Sequence, residues 1–297
     1  MMKPYLDRIA KMRRSFERNM QKRDAALSIP PDICCDWNIP YGSDPKWQKL
    51  DVYRPYVADG IRLPVLLHVH GGAWIYGEKE GYRYYCMELA RHGFCVINFS
   101  YRPAPYAAFP AQLEDTCLVL DWIAASADSF TMDADCLFGM GDSAGAHILS
   151  LTAAAKADHT FGETFPFSMA DTLSFRALCF NCGSYYFGGK RLLSMDETIL
   201  CALFPDGYTK EDLAVLNVTG HLTENYPDVY LMTSTGDFLR SHAQTMDVAL
   251  NHVGIPHFYR IYGDAKHRPG HVFHCDIRSA DAKVCMSDEC AFFRKHL

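Results

Sequence analysis

The chain has 297 residues, 49% hydrophobic and 22% charged, which is enough to bury a large core in one or two domains without covalent staples. A formal net charge of −6 and a pI near 6.1 argue against nucleic acid as the main partner. No apolar run is long enough to span a bilayer, and twelve cysteines fall far short of a disulfide scaffold.

The first segment, "MMKPYLDRIAKMRRSFERNMQKRD", is helical in period, with Tyr5, Ile9, Met12, Phe16 and Met20 on one stripe and Lys and Arg on the other face. Asp7, Glu17 and Asp24 weigh against a transit peptide, so the helix is expected to pack on the rest of the protein until "SIPPD" ends it. No secretory apolar segment follows Met1, and reduced thiols in the cytoplasm are expected. From Trp47 onward, apolar runs alternate with helical patterns. "KLDVYRP", "LPVLLHVH", "FCVINFSYR", "DCLFGM", "FRALCFNC", "DVYLMTSTG" and "PHFYRIYG" read as strands. "YRYYCMELARHG", "PAQLEDTCLVLDWIAASA", "AGAHILSLTAAAKA", "HAQTMDVALNHVG" and "DAKVCMSDECAFFRKH" read as helices. Strands that run apolar on both faces and alternate with helices predict an α/β fold, a mostly parallel sheet covered on both sides. Residues 184–226 interrupt the rhythm with more chain than a crossover needs, which marks a lid. Cys179 and Cys182 sit in a strand run, not at a helix start, and read as buried structural thiols.

One motif carries chemistry. Gly141-Asp142-Ser143-Ala144-Gly145 lies between the strand "DCLFGM" and the helix "AGAHILSLTAAA". That is the strand–turn–helix setting of a nucleophile elbow, whose turn is too tight for side chains beside the serine. "HGGAW" (His70 to Trp74) follows a buried strand. Gly71 and Gly72, with the N–H of Ala144, are expected to form an oxyanion hole. Asp237 follows the strand "DVYLMTSTG" and His271 follows "PHFYRIYG", so the order Ser, Asp, His is complete at strand ends. His271 is expected to take the Ser143 proton and Asp237 to orient the imidazole. His267 and His274 flank it, but only His271 leads into Val272-Phe273. A zinc site from His267, His271, His274 and Cys275 lacks regular ligand spacing, so no metal is expected. Trp74, Tyr185 and Tyr186, with Tyr76 and Phe187, are expected to line an aromatic substrate pocket, and Arg102 is expected in a structural ion pair.

The series "HGGAW", "YRPAPYAAFPA", "GDSAG", Asp237 and "HVF" resembles the hormone-sensitive lipase-like branch of the α/β-hydrolases, a family of carboxylesterases. Its members carry H-G-G-G, Y-R-L-A-P-E-x-x-F-P-A, G-D-S-A-G, an Asp and H-G-F. Here Ala73, Pro103, Tyr106 and the stretch "DAKHRPG" depart from that pattern. The resemblance implies a single α/β-hydrolase domain over 1–297 with a helical cap formed by about 1–33 and 184–226. It also implies hydrolysis of a small-molecule ester through an acyl-enzyme, with no metal and no dissociable cofactor; from the sequence itself, short acyl groups, no stable membrane insertion and a possible homo-oligomer are expected. "HGGAW" with "LDVYRP" is similar to aryl formamidases as well, so amide hydrolysis on the same triad is the alternative, ahead of a non-catalytic binding role.

Overall fold

The computed structural model describes residues 4–57, 60–169, 173–187 and 194–297. Helix α1 (Pro4–Asp24) leads into β1 (Ile33–Pro40), β2 (Lys49–Pro55) and β3 (Leu63–Val69). Then come α2 (Arg83–Arg91), β4 (Cys95–Ser100), α3 (Ala111–Ser126), β5 (Met132–Asp142), α4 (Ala144–Ala157) and the single turn α5 (His159–Gly162). The chain continues through β6 (Phe175–Asn181), α6 (Ser194–Leu203), α7 (Lys210–Val215), β7 (Asp228–Ser234), α8 (Arg240–Val253), β8 (His257–Tyr262) and α9 (Ala280–Arg294).

Among the described residues, eight strands form one sheet in the order β1-β2-β4-β3-β5-β6-β7-β8. β2 runs antiparallel to β1 and β4, and every other pair is parallel. Alternation along each strand divides the core into two layers. Val65, Leu67 and Val69 face one side with α3, α4 and α8, while Leu66 faces the other with α2 and α9. Both layers are apolar, so the central strands read as unbroken hydrophobic runs.

β1 is the strand the sequence pattern did not reveal. Its run, "ICCDWNIP", carries Asp36 and Asn38 in the middle, and its pairing with β2 breaks between Asp36 and Ile39. Asn38 lies at φ 57°, and its N–H donates to Asp51 Oδ1 at 2.8 Å. A bulged edge strand needs neither alternation nor full burial, so it leaves little periodic signal.

Helix α1 packs as its stripe predicts. Ile9 is buried, and Tyr5 and Met12 rest against the core. Its basic residues hold the domain: Arg13 donates to the carbonyls of Ile75 (2.7 Å) and Ala104 (3.2 Å), and Arg23 donates to the Gly81 carbonyl. Arg8 reaches Thr198 on α6 at 3.5 Å, so the two pieces of the expected cap meet. Residues 1–3 and 188–193 of that cap lie outside the described residues, and position 33 is where β1 begins. Within the insertion, α7 starts with a capping box in which Thr209 and Asp212 satisfy each other's backbone N–H.

Candidate active site

Ser143 stands between β5 and α4 at φ 52°, ψ −115°, a sparsely populated conformation for a residue with a side chain. Its N–H donates to Asn181 O at 2.9 Å, which fixes the turn against β6. Gly145 shows why the turn tolerates no side chain. A Cβ there would collide with the carbonyl oxygens of Val69 and His70, at the end of β3. The serine hydroxyl is thus pushed out at the N-terminus of α4, where the helix dipole favours developing negative charge.

His271 and Asp237 arrive from neighbouring strand ends. Gly236 N–H and Ser234 Oγ both donate to Pro269 O, at 3.1 and 2.7 Å, which ties the loop after β7 to the loop after β8. His271 Nε2 lies 3.0 Å from Ser143 Oγ, and His271 Nδ1 lies 2.7 Å from Asp237 Oδ1. Asp237 also accepts from Leu239 N–H (2.9 Å) and from the Thr233 hydroxyl (2.7 Å). Burial works against its charge, but the His271 contact and these donors outweigh it and hold the carboxyl below its ordinary range. An anion fixed in this way keeps the Nδ1 proton on the imidazole and leaves Nε2 free to accept. The other two histidines go elsewhere. His267 pairs with Asp281 at 2.6 Å on the surface, and His274 is fully buried with Cys275 beside Asp142. The four residues weighed as zinc ligands therefore do not come together.

The loop after β3 corrects one expected donor. Gly71 N–H is already committed to Asp142 Oδ1 at 2.9 Å, so it is not available to an oxyanion. Gly72 and Ala144 make no backbone N–H donation among the described residues and remain candidate donors. Gly72 adopts φ 135°, where a Cβ would strike the Tyr76 carbonyl. Asp142 was not singled out from the sequence, yet it anchors this loop to the elbow. It accepts from Gly71 and from the Tyr82 hydroxyl, both at 2.9 Å. Full burial pushes its carboxyl up to about 6 despite those two donors.

A cavity of about 430 Å³ opens over Ser143 and His271. Its walls include Phe16, Met20 and Arg23 of α1, with Tyr76, Phe238 and Phe273. Of the five aromatics expected to line the pocket, Tyr76 does so, and Trp74, Tyr185, Tyr186 and Phe187 do not. Trp74 is buried against His147 and Phe187, Tyr185 is fully buried against Phe180, and Tyr186 stacks on His242 at 4.1 Å. Aromatic residues just after a strand are as often core packing as pocket wall, and here the packing reading holds. Besides Tyr76 in the loop after β3, the pocket aromatics come from α1 and from the loops after β7 and β8. Arg102, as expected, is bound by Glu114 and Asp115.

Comparison with known proteins finds esterases. The family model described as BD-FAE matches residues 50–197. Versiconal hemiacetal acetate esterase of Dothistroma septosporum is 29% identical over 69% of this chain and 66% of its own length. Esterase LipQ of Mycobacterium tuberculosis is 32% identical over 46% of this chain. The chain thus spans between 32% and 66% of the length of these two curated relatives. Esterase B from Lactobacillus rhamnosis, solved with a tributyrin phosphonate inhibitor, superposes with a TM-score of 0.91 at 20% identity, covering 100% of this chain and 96% of that one. An esterase of Pyrobaculum calidifontis superposes with a TM-score of 0.78 at 20% identity, covering 97% and 92%. No helix among the described residues is long and apolar enough to cross a membrane. Its eight-stranded sheet and these superpositions show the α/β-hydrolase fold, and its motifs and sequence relatives make the chain similar to the hormone-sensitive lipase-like esterases.

Proposed function

We propose that the protein is a serine carboxylesterase for small, short-acyl esters, with Ser143 as nucleophile, His271 as general base and then acid, and Asp237 as its orienter. The observation that carries this reading is the unbroken chain from Ser143 Oγ through His271 (3.0 Å) to Asp237 (2.7 Å). Ser143 attacks the ester carbonyl while its proton passes to His271 Nε2, and the tetrahedral oxyanion takes the N–H groups of Gly72 and Ala144. His271 returns the proton to the departing alkoxide. A water activated by the same imidazole then cleaves the acyl-enzyme. The names of the relatives support ester hydrolysis: an acetate esterase among the sequences and a phosphonate-inhibited esterase among the structures.

The short-acyl preference rests on the roof. Phe16 of α1 stacks on Tyr76 at 3.6 Å, and α1 is pinned by Arg13 and Arg23, so the cavity has a closed wall. Each methylene that fits contributes about 0.8 kcal/mol, and activity falls once the chain meets that wall. The test is kcat/KM on p-nitrophenyl esters from acetyl to palmitoyl. The expected maximum lies between acetyl and hexanoyl. A maximum at lauroyl or longer contradicts the roof, and faster turnover of an N-formyl aryl amine than of any ester favours the formamidase alternative.

A further inference from the structure

The cavity over Ser143 has several aromatic walls, and they differ in what their faces already touch. Phe16 and Tyr76 stack on each other at an interplanar angle of 8°. Phe273 packs against Tyr262 and His274. Phe238 meets the His271 imidazole at 4.3 Å and is otherwise 66% exposed, which is unusual for a phenyl ring one residue from a buried carboxylate. No packing role accounts for that exposure. Its backbone has one, because the next N–H, that of Leu239, binds Asp237. The ring is therefore held beside the imidazole by the turn that builds the acid–base pair.

The position has a stereochemical meaning. In acyl transfer the leaving oxygen must come within hydrogen-bond reach of the imidazole Nε2 that protonates it, while the carbonyl oxygen turns toward the N–H donors. The alcohol portion of an ester thus lies on the His271 side, and the Gly72–Ala144 side holds the oxyanion. Resting on the esterase reading above, we propose that Phe238 is a specificity-determining residue for the alcohol side and that the preferred substrates are esters of aromatic alcohols. A flat ring attached through one methylene to the ester oxygen can lie over the exposed phenyl face in an offset stack. The same geometry leaves the acyl portion to the Phe16, Met20 and Tyr76 wall.

Benzyl acetate and cyclohexylmethyl acetate test this, because their alcohols are similar in size and nearly equal in acidity. The wild-type enzyme should favour the benzyl ester by roughly 2- to 10-fold in kcat/KM, the discrimination expected from one aromatic pair. In Phe238→Ala and in Phe238→Leu, which keeps apolar bulk, that ratio should fall to near one, whereas Phe238→Tyr should retain it. The mirror pair, methyl benzoate and methyl cyclohexanecarboxylate, should show no dependence on residue 238. A wild-type ratio near one, or a ratio unmoved in both Phe238→Ala and Phe238→Leu, overturns the proposal. So does a dependence that appears in the acid-side pair instead. Ser143-dependent cleavage of p-nitrophenyl acetate, measured alongside, separates the two levels. If it is absent the esterase reading itself fails, and if it is present only the assignment of Phe238 is at stake.

Discussion

At the scale of single residues, Asp142 shows how the site is held open. Its carboxylate joins the elbow to the loop after β3 through Gly71 N–H and the Tyr82 hydroxyl. Removing it strands two buried donors, each costing about 1–3 kcal/mol, and lets the loop that carries Gly72 drift. Asp142→Ala is expected to lower kcat on p-nitrophenyl acetate by about 10²- to 10³-fold, the cost of losing one oxyanion donor. Its circular dichroism should remain that of a folded chain. Wild-type kcat in this variant would mean that the loop needs no anchor. The correction at Gly71 follows from the same contact. From sequence, the two glycines of "HGGAW" were equivalent donors. Nothing in the spacing says that the side chain beside the nucleophile, 71 positions along the chain, takes the first N–H for itself.

Among the elements, the central strands and the long helices were legible because burial on two faces writes itself into the sequence as uninterrupted apolar runs. Ser143, Asp237 and His271 could be placed for a related reason: each lies in a segment that follows a strand, and strand ends are easy to read. Pocket walls are not. Phe16 and Met20 belong to a helix far from the motifs, and only tertiary packing brings them over Ser143. Trp74 lies in "HGGAW" and Tyr185 and Tyr186 follow the end of β6, but they turn into the core or onto His242. The bulged edge strand β1 left no periodic mark. Helix α1 makes the roof testable at its own scale. Phe16→Ala removes the ring stacked on Tyr76 and lengthens the cavity. The acyl-chain optimum should then move at least two carbons longer, with the acetate rate lowered several-fold by lost contact. An optimum unchanged in the p-nitrophenyl series would remove α1 from the substrate wall.

On the scale of the whole molecule, a buried polar column runs behind the sheet to α9. Glu289 is fully buried, accepting from Asn181 Nδ2 (2.8 Å) and the Cys285 thiol (3.1 Å) at one oxygen, with Tyr85 3.1 Å from the other. Burial pushes its carboxyl up to about 7 in spite of these partners. A raised folded-state value means that the native protein binds the extra proton, so its contribution to stability is full below about 4.5 and is lost as pH rises through about 7. Glu289→Gln keeps the shape without the charge, and its amide oxygen can accept from Asn181 Nδ2 as the carboxyl does. Relative to the wild type, the variant should gain about 2–3 kcal/mol between pH 5 and pH 8, read as a widening difference in Tm. Parallel Tm curves would show that Glu289 is ionised in the native state throughout. The column ends at Asn181, whose carbonyl holds the Ser143 N–H, so the stability of the molecule and the posture of its nucleophile share one support. That posture is what the account depends on. The most direct measurement is the intact mass of the chain after treatment with a fluorophosphonate, followed by peptide mapping. One adduct per chain is predicted, located on Ser143 and absent in Ser143→Ala, together with a loss of roughly 10⁴- to 10⁶-fold in ester turnover for that variant. An unlabelled Ser143, or a Ser143→Ala protein that still hydrolyses p-nitrophenyl acetate at the wild-type rate, would contradict it.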